Sequence, residues 1–151
     1  MRIGVISDTH GLLRPAAIDF LRGSDAIIHA GDIGDAAILR RLAALAPLTA
    51  VRGNNDTGDW ARQVPATEVL RIGAVSIYVL HDLAELDRAP EASGFHAVVS
   101  GHSHRPRVER RGGVLYLNPG SAGPRRFTLP IAAAEIIVEG TSLRARVVEV
   151  G

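Results

Sequence analysis

Along this chain, short apolar runs rich in β-branched residues alternate with helical patterns, and each run stops at a knot of polar or glycine residues. Arg2-Ile3-Gly4-Val5-Ile6 reads as a buried strand. It is followed by a helix that opens at Pro15, whose fixed φ suits a first turn, and reaches about Arg22. Asp25 to Ala30 repeats the strand and stops at Gly31-Asp32, after which Asp35 caps an alanine- and leucine-rich helix running through about Leu45. A third strand, Leu48 to Val51, stops at Arg52-Gly53-Asn54-Asn55-Asp56. The later half changes character: Val69 to Ile72 and Val75 to Leu80 flank Gly73-Ala74 as a hairpin, with a short helix near Leu83 to Ala92 and a strand from Ala97 to Ser100. Arg107 to Arg111 and Val114 to Leu117 form a second hairpin around Gly112-Gly113, and two closing strands span about Ala132 to Val138 and Leu143 to Val150.

Helices that follow parallel strands must cover a sheet face. Two βα units and a β-rich half therefore predict a four-layer α/β/β/α sandwich of two mixed β-sheets flanked by helices, in one domain spanning residues 1–151.

Composition narrows the function classes. The chain is 46% hydrophobic and 22% charged, which argues against a disordered tail or polar repeat. Its formal net charge of +1 gives no basic field, so no nucleic-acid surface is expected, and every basic residue is arginine. Zero cysteines exclude disulfides, thiol catalysis and thiolate ligands, leaving His, Asp, Glu or Asn to build any metal site. No apolar stretch approaches the ~18 residues of a membrane span, so the expected location is cytoplasmic.

Five segments concentrate the chemistry: Asp8-Thr9-His10, Gly31-Asp32, Gly53-Asn54-Asn55-Asp56, His81, and Gly101-His102-Ser103-His104. Each follows an apolar run, and in α/β sheets ligands gather beyond the carboxyl ends of the strands, so all five are expected to converge. Asp-x-His and His-x-His each put two donors on one side of an extended segment, the geometry of a metal clasp. Taken singly, Asp8-Thr9-His10 also reads as a capped turn, and Asn54-Asn55-Asp56 as plain turn composition. Carboxylates, imidazoles and one amide suit Mn²⁺ first, with Fe²⁺, Zn²⁺, Ni²⁺ or Co²⁺ also compatible. His29, inside an apolar strand, reads as a structural histidine with satisfied partners.

The order DxH, GD, GNxD, lone His and GHxH, carried by the residues just named, resembles the calcineurin-like metallophosphoesterase superfamily. Val51-Arg52-Gly53-Asn54, Gly101 to Pro106 and Leu117-Asn118-Pro119-Gly120-Ser121 are most similar to its short prokaryotic YfcE-type phosphodiesterases. The resemblance implies two divalent metal ions, one held by Asp8, His10 and His104, the other by Asn54, His81 and His102, with Asp32 bridging them. It implies a metal-bridging hydroxide as nucleophile and a small-molecule phosphate ester, a diester in preference to a monoester, as substrate. Asn55 stands where many relatives carry a His, so leaving-group protonation has no assigned donor. Asp56 is expected to support the loop or orient an imidazole, Arg105 to reach a substrate phosphate, and the Asn118 loop to pack beneath the site. Asp82 replaces the Gly that relatives usually place after the lone His; its carboxylate is expected to repel an anionic substrate or attract a metal, in a loop that tolerates a left-handed backbone. Exposed strand edges make a homodimer a further expectation. The alternatives on the same fold are a protein-interaction scaffold and a phosphate- or nucleotide-binding module with weak turnover.

Overall fold

The computed structural model describes all residues 1–151. Ten strands form two mixed five-stranded sheets. The first sheet contains β1 (Arg2–Ile6), β2 (Ala26–His29), β3 (Leu48–Ala50), β9 (Ala132–Glu139) and β10 (Ser142–Glu149), in the order β10-β9-β1-β2-β3. The second contains β4 (Thr67–Ile72), β5 (Val75–Leu80), β6 (Ala97–Val99), β7 (Arg107–Arg111) and β8 (Val114–Asn118), in the order β4-β5-β6-β8-β7. Within each sheet a parallel core, β1-β2-β3 or β5-β6-β8, is edged by antiparallel hairpin strands.

The two sheets pack face to face. Ile3, Val5 and Ile28 of the first meet Ile77, Val79, Val99 and Leu117 of the second in one buried cluster, the alternate residues that the period of a strand turns inward. On the outer face of the first sheet lie α1 (Pro15–Leu21) and α2 (Ala36–Ala43), with Ala17, Leu21, Ile38 and Leu42 buried against Ile6 and Ile27. Gly4 permits this approach, because a β-carbon there would stand 2.5 Å from a Leu21 methyl. Asp35 caps α2 by accepting from the Ala37 N–H.

The outer face of the second sheet is covered differently from expectation. The helix foreseen over Leu83 to Ala92 is a single 3₁₀ turn, Leu83–Glu85, and the remainder runs in turns to Phe95. Pro90 explains this: it has no N–H to give and disfavours helical backbone at the residue before it. Leu83, Leu86 and Phe95 still bury Tyr78, Leu80, Val98 and Tyr116, so the layer is present but thin. A second 3₁₀ turn, Trp60–Gln63, and the two extra residues of β4 ahead of Val69 were not foreseen. No helix is long and apolar enough to cross a membrane.

Candidate metal centre

The carboxyl ends of β1, β2, β3, β5 and β6 all open on one crevice, and the five polar knots meet there. Backbone hydrogen bonds lock the first two together: the Asp8, His10 and Gly11 N–H groups donate to the carbonyls of Gly31, Asp32 and Ile33. These segments are not extended, as the strand-based reading of the DxH and HxH pairs required. Asp8, His10, Asp32, His102 and His104 have φ between 46° and 72°, the left-handed region that non-glycine residues avoid. Such backbone persists where surrounding contacts over-determine it, and it collects at functional sites. Gly53 and Gly101 make the close packing feasible, since a β-carbon on either would stand under 3 Å from the Asp32 or Asp8 carboxylate.

The consequence of the coiled backbone is that the two histidines of HxH part company. His104 is buried beside Asp8, its Nε2 3.3 Å from Asp8 Oδ1 and 3.3 Å from His10 Nε2. His102 lies at the rim, its Nδ1 3.2 Å from Asn54 Oδ1 and its ring edge-on to His81. Asp32 Oδ2 stands between the groups, 3.7 Å from His10 Nε2 and 3.3 Å from His81 Nε2. Potential ligand atoms of Asp8, His10 and His104, and likewise of Asp8, Asp32 and His81, lie within 4.8 Å of one another.

Charge is distributed to match. Burial works to raise the Asp8 carboxyl, but the imidazoles of His10 and His104, the Ser7 hydroxyl and the His81 charge outweigh it, holding Asp8 well below the usual carboxylate range. Asp32 is depressed in the same way, burial being overcome by His81 and the Asn55 N–H. His10 is raised, first by the Asp8 carboxylate. His81 is raised because Asp32 and the Ala30 carbonyl together outweigh burial.

Asp8 and His81 each present one atom to the crevice and have the other held from behind, the arrangement that fixes ligand orientation. Asp8 Oδ2 accepts from Ser7 Oγ at 2.7 Å and from the His102 N–H at 3.1 Å. His81 Nδ1 donates to the Ala30 carbonyl at 2.7 Å, which turns Nε2 inward. Asp32 accepts from the Asn55 N–H at 2.9 Å and from Asn55 Nδ2 at 3.0 Å. Thus Asn55 grips the central carboxylate, a role its sequence position did not reveal. All the hydrogen bonds that the Asp56 carboxylate accepts come from the backbone N–H groups of Ile33, Gly34 and Gly53, which staple two site loops together, and none from an imidazole.

Several supports lie outside the predicted set. His29 accepts from the Gly31 N–H and pairs with Thr9 Oγ1 at 2.9 Å, and the Thr9 hydroxyl donates on to the Ile33 carbonyl. Complete burial pushes the His29 pKa down to about 4, so the ring is neutral with its proton on Nε2. Asn118 donates to the Gly101 carbonyl and to Ser103 Oγ, and Ser121 Oγ donates to the Asp8 carbonyl, so the Asn118 loop does pack beneath the site. Ser7 carried no signal in the sequence beyond standing next to Asp8.

Two clefts flank the rim. One, of about 440 Å³, is lined by His102, Ser103, Arg105, Arg107 and Tyr116; the other, of about 210 Å³, by Asn54, His81 and Glu85, and Asp82 belongs to both. Arg107 is engaged by Glu109, whereas Arg105 stands in no ion pair. Asp82 has φ −112°, so its loop does not need left-handed backbone.

The donor set fits divalent cations by its own evidence. Asp8 Oδ1, His81 Nε2 and His104 Nδ1 are buried with no hydrogen-bond partner, and the first two face the crevice residues just described. Orphaned polar atoms of this kind cost roughly 1–3 kcal/mol each unless something coordinates them. Comparison with known proteins points the same way. A probable metallophosphoesterase of Methanothermobacter thermautotrophicus is 31% identical over an alignment covering 100% of this chain and 94% of that one. An archaeal phosphodiesterase structure superposes with TM-score 0.80 at 24% identity, covering 98% of this chain and 100% of that one. Chaetomium thermophilum Vps29 superposes with TM-score 0.83 at 22% identity, covering 97% and 86%. Residues 1–140 match the model of the calcineurin-like phosphoesterase superfamily domain, and the chain belongs to that superfamily.

Proposed function

We propose that this chain is a phosphodiesterase working with two divalent ions, Mn²⁺ by preference, on a small-molecule ester in the cytoplasm. Asp8, His10 and His104 would hold one ion and Asn54, His81 and His102 the other, with Asp32 shared. The observation that carries this reading is the pair of buried, unpartnered ligand atoms, Asp8 Oδ1 and His81 Nε2, in a crevice of depressed carboxylates and strained backbone. Ions held by these residues would supply a water acidified toward neutral pKa and positive charge to offset that on phosphate oxygens.

The protein's own groups define the rest. Asn55 fixes the Asp32 carboxylate and offers no proton, so leaving groups that are already acidic are favoured over alkyl alcohols. Arg105, which lines the larger cleft and stands in no ion pair, would bind a phosphate oxygen pair. The cleft is large enough for one small organic group beyond the phosphate.

The test is hydrolysis of an aryl phosphodiester and the matching monoester by metal-stripped protein, with and without Mn²⁺, beside Asp32→Ala. Cleavage restored by Mn²⁺, faster on the diester and lost in Asp32→Ala, is expected. Two bound ions per chain without turnover under Mn²⁺, Ni²⁺, Co²⁺ or Zn²⁺ would overturn the enzyme reading in favour of a phosphate-binding or protein-interaction module.

A further inference from the structure

We infer that Asp82 is a positioning residue for His102, the carboxylate that holds the outer edge of that ring so that its Nδ1 stays aimed at the second ion. This rests on the two-ion reading proposed above. His81 has its rear nitrogen anchored by the Ala30 carbonyl. His102, with its side chain 45% exposed, has no such backbone anchor.

Its Nδ1 faces Asn54 Oδ1 at 3.2 Å, the approach expected of two atoms that share one cation. Nδ1 and Nε2 project from opposite edges of an imidazole, so Nε2 points away from that cation, and the group it meets is Asp82 Oδ2 at 3.8 Å. That is ion-pair reach, and a closing shift of about 1 Å makes a hydrogen bond. The carboxylate is itself held: Asp82 Oδ1 caps the 3₁₀ turn by accepting from the Ala84 N–H at 3.0 Å, which leaves Oδ2 turned to the histidine. A ligating histidine that donates its second N–H to a carboxylate has its tautomer and ring angle fixed. Asp82 therefore does from the solvent side what Ala30 does for His81 from the interior. It stands beyond the far edge of the ring, against the nitrogen that faces away from Asn54.

The experiment is Zn²⁺ titration calorimetry of metal-stripped wild type, Asp82→Asn, His102→Ala and the double variant, with the His102 Nε2–H resonance of the Zn²⁺-loaded proteins recorded by NMR. Asp82→Asn keeps the oxygen that caps Ala84 but turns an amide N–H₂ toward Nε2–H, so the fold survives and the anchor is lost. Affinity for the second Zn²⁺ is expected to fall ~10–100-fold while the first is unchanged. The downfield, exchange-protected Nε2–H signal should vanish, and Asp82→Asn should have no further effect in the His102→Ala background. Equal weakening of both sites, persistence of the Asp82→Asn effect without His102, or no effect at all with two ions still bound would overturn the assignment. A wild type that binds fewer than two Zn²⁺ would instead overturn the two-ion reading on which it rests.

Discussion

The floor and the rim of the metal centre are built by opposite means. On the floor, Asp8, Asp32, His81 and His104 are buried, and strained backbone fixes three of them while rear hydrogen bonds hold Asp8, Asp32 and His81. At the rim, Asn54, Asn55 and His102 are exposed, and their side chains meet their neighbours within reach of solvent. Burial raises the cost of any uncompensated charge, so the floor needs its partners in place before an ion arrives. The rim is solvated, so its polar contacts are screened and cost little to break.

The comparison breaks most visibly at Asp32, the carboxylate that stands between His10 and His81. Asp32→Ala should reduce Mn²⁺-dependent turnover by ~10³-fold, a loss read in steady-state kinetics, because the proposed ligand sets around His10 and His81 would lose the same carboxylate.

Asp56 tests whether the floor depends on loop closure rather than on ligation. Asp56→Ala strands the N–H groups of Ile33, Gly34 and Gly53 and should cost about 4 kcal/mol in urea unfolding, with or without metal.

The layer beneath the floor titrates. His29 has a folded pKa of about 4 against an ordinary 6.5, so its neutral form is required in the fold. Its contribution is complete above pH 6.5 and is lost as pH falls from 6.5 to 4, amounting to about 3 kcal/mol at the lower limit. The raised His10 and His81 act with the opposite sign in metal-free protein, adding stability below their ordinary pKa that disappears as pH rises through the higher folded values. The difference between wild type and His29→Asn in acid unfolding isolates the first effect.

The rim should give the smallest response. Asn55→Ala removes the exposed Nδ2 contact but leaves the backbone N–H on Asp32, so turnover is expected to fall only ~10-fold and unfolding stability to stay within about 0.5 kcal/mol. A loss as large as that of Asp32→Ala would erase the distinction between the two regions.

Much of this protein could be read along the chain. Strand alternation placed nine of the ten strands near their observed bounds, Pro15 and Asp35 marked the helix starts, and the residue types of the five knots announced a crevice of metal donors. These signals are local: side-chain period, capping and proline geometry act within a few residues. Where a competing local rule was overlooked, the reading failed, as at Pro90 and the truncated helix after Leu83. The left-handed backbone that separates His102 from His104, the Ser7 hydroxyl behind Asp8, the Asn55 grip on Asp32 and the Asp56 staple were decided by the tertiary structure alone. The backbone angles and the long-range partners are fixed only when two sheets close on each other and residues such as Asp8 and His102, 94 apart in sequence, come within hydrogen-bonding distance. Sequence determined which donors are present; packing decided which atom of each one faces the crevice.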